Sequence, residues 1–285
     1  MNKKEGLHPK NKHKYGYNFD KLIKLNTVLQ QFVYINNYGT TSIDFSNPRA
    51  VKELNKTLLF ADYQLKFWDF PKENLCPPIP GRVDYIHHLY DLLSKESKVK
   101  ILDIGTGASC IYPILGVAIY NWNFVATDID KNSLQSANKI ILKNNLQDKI
   151  ELRFQSNESS ILKGILNKKE QFSAIMCNPP FYASYIDAKE ENRRKNRNLG
   201  NIAVRNFSGN NNELWYVGGE KAFLHTYLYE SSQFPESSIW FTSLVSKKEN
   251  VASLQKSAKK LGATVFKVIP MIQGNKVTRI VAWRY

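Results

Sequence analysis

A mostly parallel α/β sheet with one antiparallel edge, preceded by a small and mainly helical N-terminal region, is the fold class that this sequence predicts. Three observations lead there. From about residue 83 onward, short apolar runs alternate with longer amphipathic stretches at helical spacing, the pattern of strands joined by crossover helices. A glycine pair, Gly105 and Gly107, stands where the first of those strands gives way to a helix. The chain then closes on two strand-like runs separated by Gly274-Asn275, a hairpin signal that makes the last pair antiparallel.

The elements follow in order. The run "KKEGLHPKNKHKYGYNF" carries Lys3, Lys4, Lys10, Lys12 and Lys14 against Glu5 as its acid. So rich in Lys, Asn and Gly, it has little apolar surface to offset the entropy of ordering, which predicts a mobile arm. Helices are expected over 20–32 and 47–60. Asn47 can cap the second, Pro48 fits its first position, and Val51, Leu54, Leu58 and Leu59 fall on one face. "DFPKENLCPPIPGR" reads as an extended connector, because Pro71, Pro77, Pro78 and Pro80 forbid continuous helix. This divides the chain into a basic arm and helical region, 1–80, and a main domain, 81–285. The main domain reads as helix 83–93, strand 99–104, a helix after Ala108, strand 124–128, helix 131–144 and strands 150–154 and 172–177. A long polar loop, helix 220–231, strand 239–245, helix 250–261 and the runs "TVFKVIP" and "VTRIVAWRY" complete it.

Composition narrows the function classes. With 42% hydrophobic and 23% charged residues the chain can bury a sizeable core. No stretch matches the roughly 20 apolar residues of a membrane span, and the Lys-rich start lacks the apolar segment of a signal peptide, so a cytoplasmic protein is expected. Cys76, Cys110 and Cys177 are odd in number and lack CxxC spacing, which argues against a disulfide framework or a zinc site and for ordinary packing. The net charge of +15 points to a polyanionic partner, which RNA, DNA or an acidic membrane could supply.

Two stretches carry chemistry. In "VKILDIGTGASC", Gly105 and Gly107 let the backbone approach a ligand, and Asp128 in "VATDID" ends the next strand at the distance in sequence where a carboxylate binds ribose hydroxyls. A dinucleotide fingerprint needs a third glycine where Cys110 stands. Asp103, directly before the glycines, better suits a methyltransferase loop in which an acid organises the pocket for the amino-acid end of S-adenosylmethionine. The second stretch is "FSAIMCNPPFYAS". An exocyclic adenine amine is a poor nucleophile because its lone pair is delocalised into the ring. Two acceptors, the side-chain oxygen of Asn178 and the carbonyl of Pro179, can take its two N–H bonds and aim the lone pair at a methyl donor. Pro179 and Pro180 hold φ fixed, and Phe181 offers a stacking face for an extruded base. No metal is required. The plainer alternative is that Asn-Pro-Pro merely ends a strand.

Beyond these residues the sequence resembles the bacterial large-subunit (23S) ribosomal RNA adenine-N6 methyltransferases, whose eukaryotic relatives methylate a spliceosomal small nuclear RNA and messenger-RNA hairpins. The resemblance spans nearly the whole chain, through "GLHPKNKHK", "IDFSNPRAVKELNKTLL", "CPPIPGRVDYIHHL", "ILDIGTGASCIYP", "CNPPF", "NLG", "ELWYVGGE", "WFTSLVS" and "RIVAW". It implies a class I S-adenosylmethionine-dependent methyltransferase, Rossmann-like and seven-stranded. It also implies donor contacts from Arg82, Gly105, Ser109, Asp128 and Asn178, with Asn178 to Phe181 as the catalytic corner. A further donor contact falls in 156–159, where Glu158 is the candidate. The eukaryotic relatives continue into a C-terminal extension that this sequence does not show, so the ribosomal branch is expected. The partner would then be 23S ribosomal RNA or a large-subunit assembly intermediate, met by a monomer.

The basic features fit such a partner. Lys10, Lys12 and Lys14, followed by Tyr15, Tyr17 and Phe19, read as an RNA-binding arm, since cations neutralise phosphates and rings stack on bases. Arg193, Arg194, Lys195 and Arg197 in "ASYIDAKEENRRKNRNLG" read as a loop that closes over RNA. Solvated surface is the alternative for both. Two other functions stay open: N6 methylation of another structured RNA, and methylation of a protein glutamine, whose side-chain amide poses the same lone-pair problem without a polyanionic partner.

Overall fold

The structure is a computed structural model, and it describes residues 6–93, 96–180, 182, 215–273 and 276–285. Its centre is a seven-stranded sheet of β3 (Lys100–Ile104), β4 (Asn123–Asp128), β5 (Ile150–Phe154), β6 (Phe172–Cys177), β7 (Ser238–Val245), β8 (Val265–Gln273) and β9 (Lys276–Arg284), in the order β5-β4-β3-β6-β7-β9-β8. The first five of these pair in parallel and β9 pairs antiparallel to both β7 and β8. Ahead of it stand a two-stranded hairpin, β1 (Val33–Ile35) and β2 (Thr41–Ile43), and three helices, α1 (Phe19–Leu25), α2 (Pro48–Tyr63) and α3 (Ile79–Leu92). The remaining α-helices among the described residues are α4 (Ile111–Tyr120), α5 (Lys131–Lys143), α6 (Gly219–Gln233) and α7 (Lys248–Lys260).

Side-chain alternation along the strands builds a core on each face of the sheet. Ile101 joins Trp68, Tyr85, Tyr112 and Trp122 under α3 and α4, while its neighbour Leu102 joins Tyr227, Leu254 and Trp283 under α6 and α7. A third, smaller cluster of Phe19, Leu22, Leu29, Ile43, Ala50, Leu54 and Leu58 holds the N-terminal elements together. α2 serves both, since its Leu59 and Tyr63 belong to the first core.

Three departures from the sequence reading have local causes. The helix expected over 20–32 is broken at Asn26, whose side chain accepts from Val28 N–H and donates to Glu53 Oε1 (2.6 Å) and Thr57 Oγ1 (2.8 Å). Those bonds compete with the helix for the backbone, and a 3₁₀ turn over Thr27–Phe32 follows. The hairpin β1–β2 is a further element, its turn marked by Asn36 and Gly39: Asn36 Oδ1 accepts from Tyr38 and Thr40 N–H, and Gly39 sits at φ 72°. Finally, α3 begins at Ile79 rather than 83. Pro78 is its N-cap and Pro80 lies in the first turn, where a missing N–H costs nothing.

The N-terminal segment also corrects the expectation of a mobile arm. Its polar residues alternate in and out: His8, Asn11 and His13 are buried, while Lys10, Lys12 and Lys14 are exposed. Asp84 of α3 is the anchor, accepting from His8 N–H (2.7 Å) and Asn11 Nδ2 (3.0 Å), and Asn11 also donates to the Pro80 carbonyl (2.9 Å). His8 lies 2.9 Å from Asp91, and His13 2.9 Å from the Tyr63 hydroxyl. Burial alone raises the Asp84 carboxyl, but the bonds from His88, Asn11 and His8 outweigh it and bring its pKa below the usual range. Composition misses this because hydrogen bonds, rather than apolar area, dock the segment.

Replacing Asn11 with Ala removes a buried donor that satisfies two acceptors, at a cost of about 1–3 kcal/mol. The expected result is a thermal midpoint a few degrees below the parent and new tryptic cleavage at Lys10, Lys12 or Lys14. An unchanged midpoint with no new cleavage would mean that Asn11 does not dock the segment.

Candidate active site

The strand order reverses at β3. Successive strands run outward from it through β4 and β5 on one side, whereas β6 lies on its other side. Such a switch point opens a crevice at the carboxyl ends of the strands. The register brings those ends level, with Ile104 opposite both Thr127 and Cys177. Three segments leave the sheet there: the glycine loop after β3, Asp128 at the end of β4, and the Asn178-Pro179-Pro180 corner after β6. Together they border an open cleft of about 1120 Å³.

The glycine loop owes its shape to left-handed backbone. Gly105 and Gly107 sit at φ 70° and 64°, and Cys110 takes the same region at φ 48° to start α4. Asp128 fastens the loop: its Oδ2 accepts from Gly107 N–H (2.8 Å) and its Oδ1 from Asp130 N–H (2.9 Å). These two bonds fix the orientation of the Asp128 carboxylate. Trp68 Nε1 donates to the Ser109 carbonyl (2.9 Å) and supports the loop from below.

The corner after β6 is braced through the carbonyl of Ile175. It accepts from the Thr242 hydroxyl (3.0 Å) and the Tyr227 hydroxyl (3.3 Å). Thr242 has one hydroxyl hydrogen and spends it there, so Tyr85, 2.9 Å away, donates to Thr242. Burial pushes both tyrosines well above the ordinary phenol range, which keeps these donors protonated.

Polar atoms without partners gather at this cleft. Among the described residues, the buried side-chain atoms lacking a hydrogen bond are Arg82 Nε, both oxygens of Asp103, Thr106 Oγ1, Asn178 Oδ1 and Trp215 Nε1. All but Asp103 belong to residues lining the cleft. Folded proteins rarely leave such groups unpaired, and a cluster of them at one cleft marks a polar ligand's place. Arg82 is aimed from the start of α3 by its bond to the Tyr112 hydroxyl (3.1 Å) and by stacking on that ring. Asp103, 1% exposed, has its pKa pushed up to about 7 by burial. The Thr106 hydroxyl nearby tempers the rise without completing a hydrogen bond; Asp128 adds to it and Arg82 opposes it.

The structure brings Arg82, Gly105, Gly107, Ser109, Asp128, Glu158, Asn178 and Pro180 to this one cleft, with Asp103 close behind and Pro179 buried in the corner. Phe181, Arg193, Arg194, Lys195, Arg197 and the Gly274-Asn275 turn lie outside the described residues. Lys10, Lys12 and Lys14 are not on the cleft: Lys10 lies over Tyr90, and Lys12 and Lys14 donate to the carbonyls of Asp62 and Pro9. Gln155, Tyr112, Trp215 and Tyr216 line the cleft and had no role assigned from sequence. Trp215 and Tyr216 occur in "LWYVGG", where aromatics before a glycine pair offered a signal. Gly218, at φ 82°, has no room for a Cβ, which would meet that of Ala222 at 2.7 Å. The cysteines behave as packing groups; burial raises all three thiols, that of Cys76 to about 11. The described residues include no group of His, Cys, Asp and Glu arranged to hold a metal, and no helix long and apolar enough to cross a membrane.

A sheet of this order with its cleft at the switch point and a glycine loop on β3 defines a class I methyltransferase fold. The model of a family described as RNA methyltransferase matches residues 1–285, and the chain belongs to that family. Proteins named ribosomal RNA large subunit methyltransferase F are similar over almost the full length. The one from Pseudoalteromonas translucida is 47% identical over 289 residues, covering 98% of this chain and 93% of its own. The one from Flavobacterium johnsoniae is 48% identical over 297 residues, covering 99% and 94%. Among solved structures, the hMettl16 catalytic domain in complex with MAT2A 3'UTR hairpin 1 superposes with a TM-score of 0.87 at 32% identity, covering 98% of this chain and 96% of that one. The N-terminal domain of human METTL16 in complex with SAH gives 0.81 at 29% identity, covering 98% and 99%.

Asp103 makes a pH test available. Its folded-state pKa lies above that of an unfolded carboxyl, so between about pH 4 and 7 the native state binds more protons and loses stability as pH rises. Asp103→Asn removes that burden. In the ligand-free protein the variant's thermal midpoint should exceed the parent's above pH 7, with the gap closing as pH falls toward 4. A gap that did not vary with pH would mean that Asp103 carries no buried charge.

Proposed function

We propose that this protein transfers a methyl group from S-adenosylmethionine to the exocyclic N6 of one adenine in large-subunit (23S) ribosomal RNA. The observation that carries the chemistry is Asn178 Oδ1: a buried acceptor with no partner among the described residues, on the strand-end corner that borders the cleft. The relatives' names supply the RNA, and the SAH complex of a similar structure supplies the donor class. A cytoplasmic site of action follows from that substrate.

The residues present fit the donor. Gly105 and Gly107 let the backbone close on it, Asp128 presents an oriented carboxylate suited to ribose hydroxyls, and Glu158 and Gln155 line the same cleft. Arg82 and Asp103, with unpaired atoms of opposite charge, suit the carboxylate and ammonium of its amino-acid end. When bound, S-adenosylmethionine supplies an electrophilic methyl group on its sulfonium. The protein's own work lies at the corner. Asn178 Oδ1 and the Pro179 carbonyl accept the two N–H bonds of the adenine amine, Pro179 and Pro180 hold both acceptors still, and Phe181 stacks on the base. Acceptors fixed beforehand stabilise the amine as its nitrogen gains positive charge.

For the RNA, Lys10, Lys12 and Lys14 are exposed on a docked segment, so their charges are held out without an ordering cost on binding. Arg193, Arg194, Lys195 and Arg197 add charge after the corner. The direct test is to incubate the protein with labelled donor and total RNA and map the modified nucleotide; label in a protein glutamine instead of an adenine would overturn the reading.

Asn178→Ala should lower kcat by about 10²- to 10³-fold while donor affinity falls far less. Near-parental turnover by that variant, measured with saturating donor and RNA, would eliminate Asn178 as the aimed acceptor.

A further inference from the structure

The stretch that carries Gln155, Glu158, Ser160 and Ile161 along one wall of the cleft forms no helix or strand. Several of its backbone amides are nonetheless held by side chains. Gln155 holds the near end, its Oε1 accepting from Asn157 N–H (3.0 Å) and its Nε2 donating to the Lys163 carbonyl (3.0 Å). The far end is taken by a residue outside the cleft lining, Glu230 of α6. Its carboxylate accepts from three successive amides: Ile161 (3.0 Å to Oε1, 3.1 Å to Oε2), Leu162 (2.6 Å) and Lys163 (2.9 Å). Ile161 and Leu162 are themselves buried in one cluster with Phe223, Leu224 and Tyr227 of the same helix. An anion that gathers adjacent amides makes strong, charge-assisted bonds and allows the backbone one arrangement.

We infer that Glu230 is a positioning residue for the methyl donor: by clamping residues 161–163 to α6 it holds the cleft wall over 155–161 in its donor-binding shape before the donor arrives. The inference rests on the assignment of this cleft to S-adenosylmethionine. Without the clamp three amides lose their acceptor and the wall must be ordered at the moment of binding, so the loss falls on donor affinity. The Asn178 corner stands on β6, braced through Ile175 by Thr242 and Tyr227, and Glu230 bonds to none of these. The chemical step, once donor is bound, therefore does not depend on it.

The test is Glu230→Gln, which keeps the length of the side chain but offers one acceptor and an NH₂ that repels the amides, with Glu230→Asp as a milder variant that keeps the charge and shortens the reach. For Glu230→Gln the donor KM should rise about tenfold, the size of a lost charge-assisted bond, with kcat at saturating donor and the RNA KM within about twofold of the parent. Glu230→Asp should fall between. Amide exchange at 161–163 should accelerate in Glu230→Gln and slow again when S-adenosylhomocysteine is added. A donor KM within twofold of the parent, or kcat and donor affinity falling together in both variants, would overturn the inference. A parent protein that binds no S-adenosylmethionine in calorimetry would instead overturn the donor assignment on which it rests.

Discussion

The structure depends on β3 being paired on both edges. Its register with β4 and with β6 brings Ile104 level with Thr127 and Cys177, so three chain segments must leave the sheet at one height. A one-residue slip of either neighbour would turn its side chains to the opposite face. Leu102 and Ile175 belong to one core and Ile101 and Ala174 to the other, so such a slip would disrupt both at once. The packing of the sheet therefore fixes the distance between the glycine loop and the Asn178 corner, and the cleft inherits its precision from the core rather than from its loops.

That precision has a counterpart in stability. Outside the cleft the buried polar groups are matched: Glu220, 2% exposed, accepts from Ser246 N–H, Lys247 N–H and Asn250 Nδ2, and so ties α6 to the turn before α7. Beside the cleft, Asp103, Thr106, Arg82, Asn178 and Trp215 leave atoms unmatched. The contrast within one molecule argues that the unmatched atoms are reserved for a ligand, since the same sheet and helices satisfy every comparable group elsewhere among the described residues. A buried acid held near pKa 7 destabilises the empty protein, and a cationic group placed beside it would reverse the sign of that contribution.

Much of this was legible because it is local in sequence. The strands of the main sheet fall within a residue or two of the expected limits around the glycine loop, since apolar runs and glycines report on their own positions. Gly105, Asp128 and Asn178 lie together at the cleft because strand ends in a parallel sheet point one way. What escaped reading depends on partners distant in the chain. Asn26 breaks a helix through Glu53 and Thr57, Asp84 docks a segment more than 70 residues away, and Glu230 reaches amides 67 to 69 residues before it. In each case a polar side chain satisfies backbone or side-chain groups, and composition treats polarity as a reason for exposure.

The N-terminal segment shows where that lesson reaches function. Arg82 and Asp84 lie two residues apart near the start of α3; Arg82 lines the cleft and Asp84 holds His8 and Asn11. Asn11 also donates to the carbonyl of Pro80 in the first turn of the same helix. One short stretch of helix thus supports both the proposed donor site and the segment bearing Lys10, Lys12 and Lys14. Adjacency of this kind does not by itself make the two sites report on each other, for coupling needs an element with two states that both ligands bias. It does make their spacing a property of the fold. A segment anchored by buried Asn11 and His13 presents its cations at a set distance from the corner, so any RNA that engages both must place its adenine and its phosphates at matching separation, and a docked arm can select for RNA shape where a mobile one would supply only charge.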